Sequence, residues 1–134
     1  MSQADVETIR TGFDTFAEDG LDAILRLMDP EIEILTPANP DMQRGTGHDG
    51  VRKSLNSMLE MFEYWNVEAL EFEDLGENIV VSVCQYARGR GSGVTLESKS
   101  AWMFTMRDGK ATRLVLFHNK QEAIASLQDQ SRRQ

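Results

Sequence analysis

The amino-acid sequence predicts an α+β fold in which helices lie on one face of a curved antiparallel sheet. In the first half of the chain, apolar residues recur mostly at spacings of three and four, which is the period of an amphipathic helix. From Val67 to His118, four extended segments are separated by turn residues, as expected for antiparallel strands. Because the helices come first and the strands follow, the two kinds of element are expected to form separate layers.

Two helices are predicted at the start of the chain. Ser2 and Asp5 resemble a capping box with a short acid, which favours a helix N-terminus here. The apolar stripe of this first helix consists of Val6, Ile9, Phe13 and Phe16. A second short helix begins at Leu21 and ends before Pro30, because a proline disfavours the helical conformation of the residue that precedes it.

The middle of the chain predicts a strand, a loop and a third helix. Residues 31–34 alternate with period two, and this strand ends before Pro37. Prolines and glycines between Pro37 and Gly47 predict a loop long enough to form the rim of a site. The third helix begins at His48. Its inward stripe consists of Val51, Leu55, Met58, Phe62 and Trp65.

Four strands are predicted after this helix, over residues 67–75, 79–88, 94–106 and 111–118. The Asp108-Gly109 pair is a strong hairpin signal, because a type I′ turn needs positive φ at both central residues. The last three strands are therefore expected to form an antiparallel meander. A short C-terminal helix follows Asn119. Residues 128–134 read as a polar tail, which leaves residues 1–127 as a single domain.

Composition argues against several classes of protein. The chain has 134 residues, of which 22 are acidic and 14 are Lys or Arg, so its net charge is −8 and phosphate backbones would repel it. No apolar run approaches the roughly 20 residues of a membrane span, and residues 1–10 do not resemble a secretory signal. We therefore expect a cytoplasmic protein that binds neither nucleic acid nor membrane. Two histidines and the lone Cys84 are too few ligands for a metal site.

The order of these elements, together with five short motifs, resembles the SnoaL-like branch of the NTF2-like (cystatin-like) superfamily. The motifs occupy residues 29–33, 47–52, 89–93, 107–110 and 122–124. They are turns and caps, so they specify a fold and carry no chemistry themselves. The resemblance covers roughly residues 4–127 and implies a cone in which the sheet wraps around three N-terminal helices, with a short C-terminal helix.

The same resemblance implies a deep apolar pocket at the wide end of the cone and a homodimer formed through the sheet. The superfamily includes polyketide cyclases and ketosteroid isomerases. The implied ligand is a small apolar or aromatic carbonyl compound, and the implied chemistry is acid/base isomerisation, cyclisation or dehydration without a cofactor. A non-catalytic ligand-binding or dimerisation module is the alternative, because the carboxylates of the related enzymes are missing here.

Two positions show this departure from the related enzymes. Ketosteroid isomerases place an Asp general base before a proline, where this chain has Thr36, and many SnoaL-like sequences have Asp where this chain has Asn119. His48 and His118 are then the candidate catalytic residues, because an imidazole titrates near neutral pH. The structural alternatives are a role of His48 in a helix cap and of His118 as a buried core residue.

Methionine and aromatic side chains are expected to line the pocket, or else simply to form the core. The predicted ligand-binding residues are Phe13, Phe16, Met28, Thr36, Met58, Phe62, Tyr64, Trp65, Trp102 and Phe104, with Met42 and Met106 of the same type. Trp102 stands out among them, because a buried indole N–H requires an acceptor and can donate a hydrogen bond from the pocket wall.

Overall fold

A computed structural model describes residues 2–36 and 45–132 of the chain. These residues form α1 (Ser2–Asp19), α2 (Leu21–Leu25), β1 (Met28–Leu35), β2 (Gly45–Thr46), α3 (Gly47–Met61), β3 (Phe62–Asp74), β4 (Asn78–Gly89), β5 (Thr95–Arg107), β6 (Lys110–Phe117) and α4 (Lys120–Arg132). None of the helices within the described ranges is long and apolar enough to cross a lipid bilayer.

The strands form one sheet with the order β2-β1-β6-β5-β4-β3. Strands β3 to β6 are paired in an antiparallel meander, and β2 is antiparallel to β1. The α+β prediction is confirmed, with β1 and β6 as the one parallel pair among the described strands. No hairpin constrains that pair, because most of the chain lies between the two strands.

The hairpin between β5 and β6 has the predicted two-residue turn. Arg107 pairs with Lys110, and the residues between them have positive φ, 53° for Asp108 and 78° for Gly109. Both values belong to a type I′ turn, whose twist matches that of the flanking strands. The register across β5 and β6 is thereby fixed at the turn.

The two faces of the sheet bury different residues. The inner face, which carries Val81 and Trp102, packs against α1, α2 and α3 and forms the larger core. The outer face, which carries Met103 and Val115, packs against Ala123 and Leu127 of α4. The register shifts in β3 between Ala69 and Glu71, and again in β6, where Thr105 pairs with Arg113 but Met106 pairs with Ala111. An extra residue of this kind in one strand increases its local bend.

Three predicted boundaries are wrong. The C-terminal helix continues to Arg132, through most of the residues predicted to form a polar tail. The predicted third helix extends to Trp65, whereas the structure ends α3 at Met61 and begins β3 at Phe62. Trp65 fits the apolar stripe of a helix and also the apolar face of a strand. Its apolar side chain therefore does not show that the chain changes from helix to strand at Phe62. The second helix is also shorter than predicted, because Met28 already belongs to β1. Residues 37–44, which include most of the predicted loop, lie outside the described residues.

Candidate functional site

The centre of the inner face is formed by β4 and β5. Alternation along β5 turns Ser100, Trp102 and Phe104 towards the helices, opposite Val83, Val81 and Ile79 of β4. A central strand is a rigid support for such side chains, because hydrogen bonds to neighbouring strands fix it on both edges. The site described below is built on these two strands and on the facing side of α1.

Trp102 is the most unusual residue of this region. Its side chain is 2% exposed, and its Nε1 atom is buried without a hydrogen-bond partner among the described residues. Leaving a buried donor unpaired costs about 1–3 kcal/mol, so such groups are uncommon in folded proteins. The N–H is therefore available to an acceptor that enters the interior.

Aromatic rings surround this indole. The ring of Phe13 on α1 lies 5.9 Å from that of Trp102, 6.2 Å from that of Phe104 and 6.5 Å from that of Phe72. On the solvent side, Phe13 also lines a cleft of about 400 Å³ between α1 and β3. The guanidinium of Arg10 covers Phe72 at the same cleft, 4.5 Å from the ring centre. Phe13 thus lines the surface cleft and also packs beside Trp102.

A chain of hydrogen bonds crosses the inner face beside Trp102. Trp65 Nε1 donates to Gln85 Oε1 at 3.1 Å, and Gln85 Nε2 donates to Ser100 Oγ at 3.0 Å. Sequence reasoning missed Gln85 and Ser100. The signal that could have found them is a polar residue at an inward position of a strand that is otherwise apolar.

The interior is uncharged. Among the described residues, the only buried polar side chains are Thr36 and Ser54, each 9% exposed, and no buried side chain is charged. The inner face therefore offers hydrogen-bond donors and hydroxyl groups to a ligand without a fixed charge. Such a surface suits a neutral polar group better than an ion, because an unpaired charge is costly to bury.

The structure brings most of the predicted pocket residues into the inner core. Phe16, Met28, Trp65, Trp102, Phe104 and Met106 are buried there, and Phe13 and Phe62 are half-buried against it. Tyr64 is 53% exposed, because alternation turns it to the opposite side of β3 from Trp65. The side chain of Met58 and all of Met42 lie outside the described residues. For all of the predicted pocket residues, contact with a ligand stays a prediction.

The two histidines occupy different places. The strand β6 ends at Phe117, so His118 does not share the buried face of Leu114 and Leu116, and its side chain is 61% exposed. Its Nδ1 lies 3.1 Å from Glu122 Oε1, at the start of α4. His48 is half-buried, with Nε2 3.0 Å from the carbonyl oxygen of Met28. Catalytic roles for either ring stay predictions.

Asn119 acts as a helix cap at the start of α4. Its Oδ1 accepts a hydrogen bond of 2.9 Å from the backbone N–H of Glu122, while the Glu122 carboxylate accepts one of 3.0 Å from the backbone N–H of His118. These bonds satisfy backbone donors at the start of α4. The geometry accounts for Asn119 without a role in proton transfer.

Several solved structures share this fold. The chain is 24% identical to TerC, which was co-crystallised with polyporic acid, over 92% of this chain and 97% of that one, with a TM-score of 0.76. It is 19% identical to an NTF2-like protein of unknown function from Burkholderia pseudomallei, with 91% and 95% covered and a TM-score of 0.75. A putative SnoaL-like polyketide cyclase from Jannaschia sp. CCS1 is 20% identical, with 92% and 90% covered and a TM-score of 0.74.

The fold and its aromatic interior thus define an NTF2-like protein. A sequence model of the SnoaL-like domain matches residues 9–114, which is most of the chain, and the chain belongs to that family. The search of curated proteins found no match. The resemblance inferred from the turn and cap motifs is confirmed.

Proposed function

We propose that this chain binds a small hydrophobic or aromatic carbonyl compound between α1 and the inner face of the sheet. The observation that carries the proposal is the buried N–H of Trp102, which has no acceptor among the described residues. A ligand carbonyl oxygen would supply that acceptor and remove the cost of the unpaired donor. The aromatic rings around Trp102 supply apolar contact area for the rest of the ligand.

Two further observations bear on the ligand, and the first of them favours a neutral compound. The buried side chains of the interior carry no charge in the described part of the chain, so the site contains no counter-ion for a carboxylate or an ammonium group. The second is that TerC, a protein of the same fold, has been co-crystallised with polyporic acid, which supports a small organic ligand but does not bear on its charge.

The first experiment compares anthracene with anthrone, which have the same three-ring skeleton but differ by one carbonyl group. Wild-type protein and Trp102→Phe are titrated with each compound, and binding is measured by quenching of tryptophan fluorescence, which Trp65 still reports in the variant. The variant removes the indole N–H and keeps an aromatic ring. We expect about a fivefold weaker affinity for anthrone, which corresponds to one hydrogen bond, and little change for anthracene.

The control is Tyr64→Phe, which removes a polar group from an aromatic side chain that is 53% exposed. It is expected to leave both affinities unchanged. If Trp102→Phe weakened the affinities for anthracene and anthrone equally, the indole would contribute only through its size and not through its N–H group. Failure of wild-type protein to bind either compound, or any carbonyl compound in a wider thermal-shift screen of steroids and aromatic ketones, would overturn the proposal.

We also propose that the chain forms a homodimer through the outer face of the sheet. Helix α4 covers the half of that face around Met103 and Val115. The other half carries Tyr86, whose hydroxyl donates a hydrogen bond of 3.2 Å to Glu68 Oε2 on the neighbouring strand β3. Residues 1–77 hold 18 acidic and 5 basic residues, whereas residues 78–134 hold 4 and 9, which favours contact between unlike halves of two copies.

Sedimentation equilibrium tests this arrangement. At micromolar concentration we expect a mass of about twice 15.1 kDa. Arg88→Glu on the outer face is expected to shift the sample towards single chains, whereas Arg107→Glu in the β5–β6 hairpin is not. A mass of one chain for the wild-type protein across this concentration range would contradict the dimer.

A further inference from the structure

We infer that Ser100 provides a second hydrogen-bond donor beside Trp102, and that the interior selects a neutral cyclic compound with two carbonyl oxygens. This inference rests on the proposed function and names the class of ligand for the same site. It follows from which group donates and which accepts in the two hydrogen bonds that connect Trp65 to Gln85 and Gln85 to Ser100.

The orientation of the Gln85 amide is fixed by Trp65. An indole N–H can only donate, so the atom of Gln85 that lies 3.1 Å from Trp65 Nε1 is the carbonyl oxygen. The oxygen and nitrogen of an amide are otherwise hard to distinguish, and a donor-only neighbour removes that ambiguity. The amide nitrogen of Gln85 therefore faces Ser100.

The same reasoning fixes the role of the Ser100 hydroxyl. Gln85 Nε2 lies 3.0 Å from Ser100 Oγ and can only donate, so the serine oxygen accepts this bond. A hydroxyl that accepts through a lone pair keeps its own proton for another acceptor. Among the described residues, no protein group receives that proton. Gln85 and Trp65 act here as positioning residues, since they direct the Ser100 proton without contacting the ligand.

Ser100 and Trp102 are close enough to serve one ligand. They are two residues apart on the same face of β5, opposite Val83 and Val81 of β4. Their Cα atoms are thus about 6.7 Å apart along the strand. The inner face therefore presents two donors in a row and no charged side chain that is buried. A rigid ring with two carbonyl oxygens matches both donors and needs no counter-ion.

The test uses anthrone and anthraquinone, which have the same skeleton with one and two carbonyl groups. Dissociation constants are measured by quenching of tryptophan fluorescence at pH 8. Either oxygen of anthraquinone can meet Trp102, so a preference of about twofold is expected from statistics alone. With Ser100 as a second donor, the single oxygen of anthrone can also meet either donor, so the statistical factor cancels. Wild-type protein is then expected to prefer anthraquinone by about fivefold, the gain of one hydrogen bond.

Two variants remove the second donor in different ways. Ser100→Ala deletes the hydroxyl. It is expected to reduce the preference to about twofold and to weaken the binding of anthrone by no more than about twofold, because anthrone loses one of two possible donors. Gln85→Glu keeps the shape of the side chain, but an ionised carboxylate can only accept, so the Ser100 proton turns towards it and the preference is again lost. Ser82→Ala, a serine on the outer face opposite Ala101, is the matched control and should keep the wild-type preference. Thermal unfolding midpoints of all variants verify that they are folded.

The outcomes separate this inference from the proposed function. A preference of twofold or less in wild-type protein, or one that survives Ser100→Ala, would overturn the role of Ser100, while anthrone binding that depends on Trp102 would still support the carbonyl site. Absence of binding for both compounds would overturn the two proposals together. Loss of the preference in Ser100→Ala and in Gln85→Glu, with anthrone affinity retained to within about twofold, is the result that supports the inference.

Discussion

Replacement of Trp102 by alanine is expected to lower the free energy of unfolding by about 3–5 kcal/mol. Trp102 is the largest of the fully buried side chains in the described core, and it lies on a central strand between Val81 and Leu116. Alanine would leave a cavity against the ring of Phe13, because hydrogen bonds on both edges of β5 prevent the strand from moving inward. Urea unfolding followed by circular dichroism measures the loss, as a lower midpoint at a similar slope.

Two further substitutions show whether this cost comes from packing. Trp102→Phe leaves a smaller cavity but also removes the unpaired N–H, and the two effects oppose each other, so we expect a change within about 1 kcal/mol. Tyr64→Ala removes an aromatic side chain that is 53% exposed and is expected to cost about 0.5 kcal/mol or less. A loss below about 1 kcal/mol for Trp102→Ala would mean that this part of the interior is already open to solvent.

The elements that depend on local interactions could be predicted from the sequence. The stripe of Ile9, Phe13 and Phe16 predicts α1, because its period is set by the geometry of the helix itself. The Asp108-Gly109 turn predicts its hairpin for a similar reason, since only a few residue types accept positive φ. In both cases the information lies within a few residues of the element.

Features that depend on distant residues were not predicted. The parallel pairing of β1 with β6 joins segments from opposite ends of the chain. The start of β3 at Phe62 is decided by pairing with Gly89, which the local apolar spacing does not contain. Propensity is a weak guide where long-range pairing competes with it.

Only part of the candidate site could be predicted, because some of its features are local to one strand and others depend on the pairing of distant strands. Trp102 could be singled out, because a large residue with a polar atom in an apolar strand predicts its own burial and its need for an acceptor. The bonds among Trp65, Gln85 and Ser100 join three strands, and only their register places these residues together. The exposure of His118 depends on where β6 ends, at Phe117, and alternation alone does not locate that end.

A close approach of two backbones is a further feature that the sequence does not reveal. Gly45 of β2 and Gly50 in the first turn of α3 lie against each other. A Cβ atom added at Gly50 would lie 2.9 Å from the carbonyl carbon of Gly45 and 3.0 Å from its Cα. Real Cβ atoms do not approach backbone atoms so closely, and backbone cannot turn away as a flexible side chain does.

Gly50→Ala is therefore expected to lower the free energy of unfolding by about 1–3 kcal/mol, the usual cost of overpacking. Helix propensity alone predicts the opposite sign, because alanine is favoured over glycine inside a helix by about 1 kcal/mol. Asn56→Ala in the same helix is the control and should leave stability unchanged or slightly raised. Urea unfolding of both variants decides the matter. A more stable Gly50→Ala would mean that β2 and α3 can separate to admit the added methyl group. A less stable one would support a close and inflexible contact between Gly45 and Gly50, beside which Ile34 of the inner core is packed.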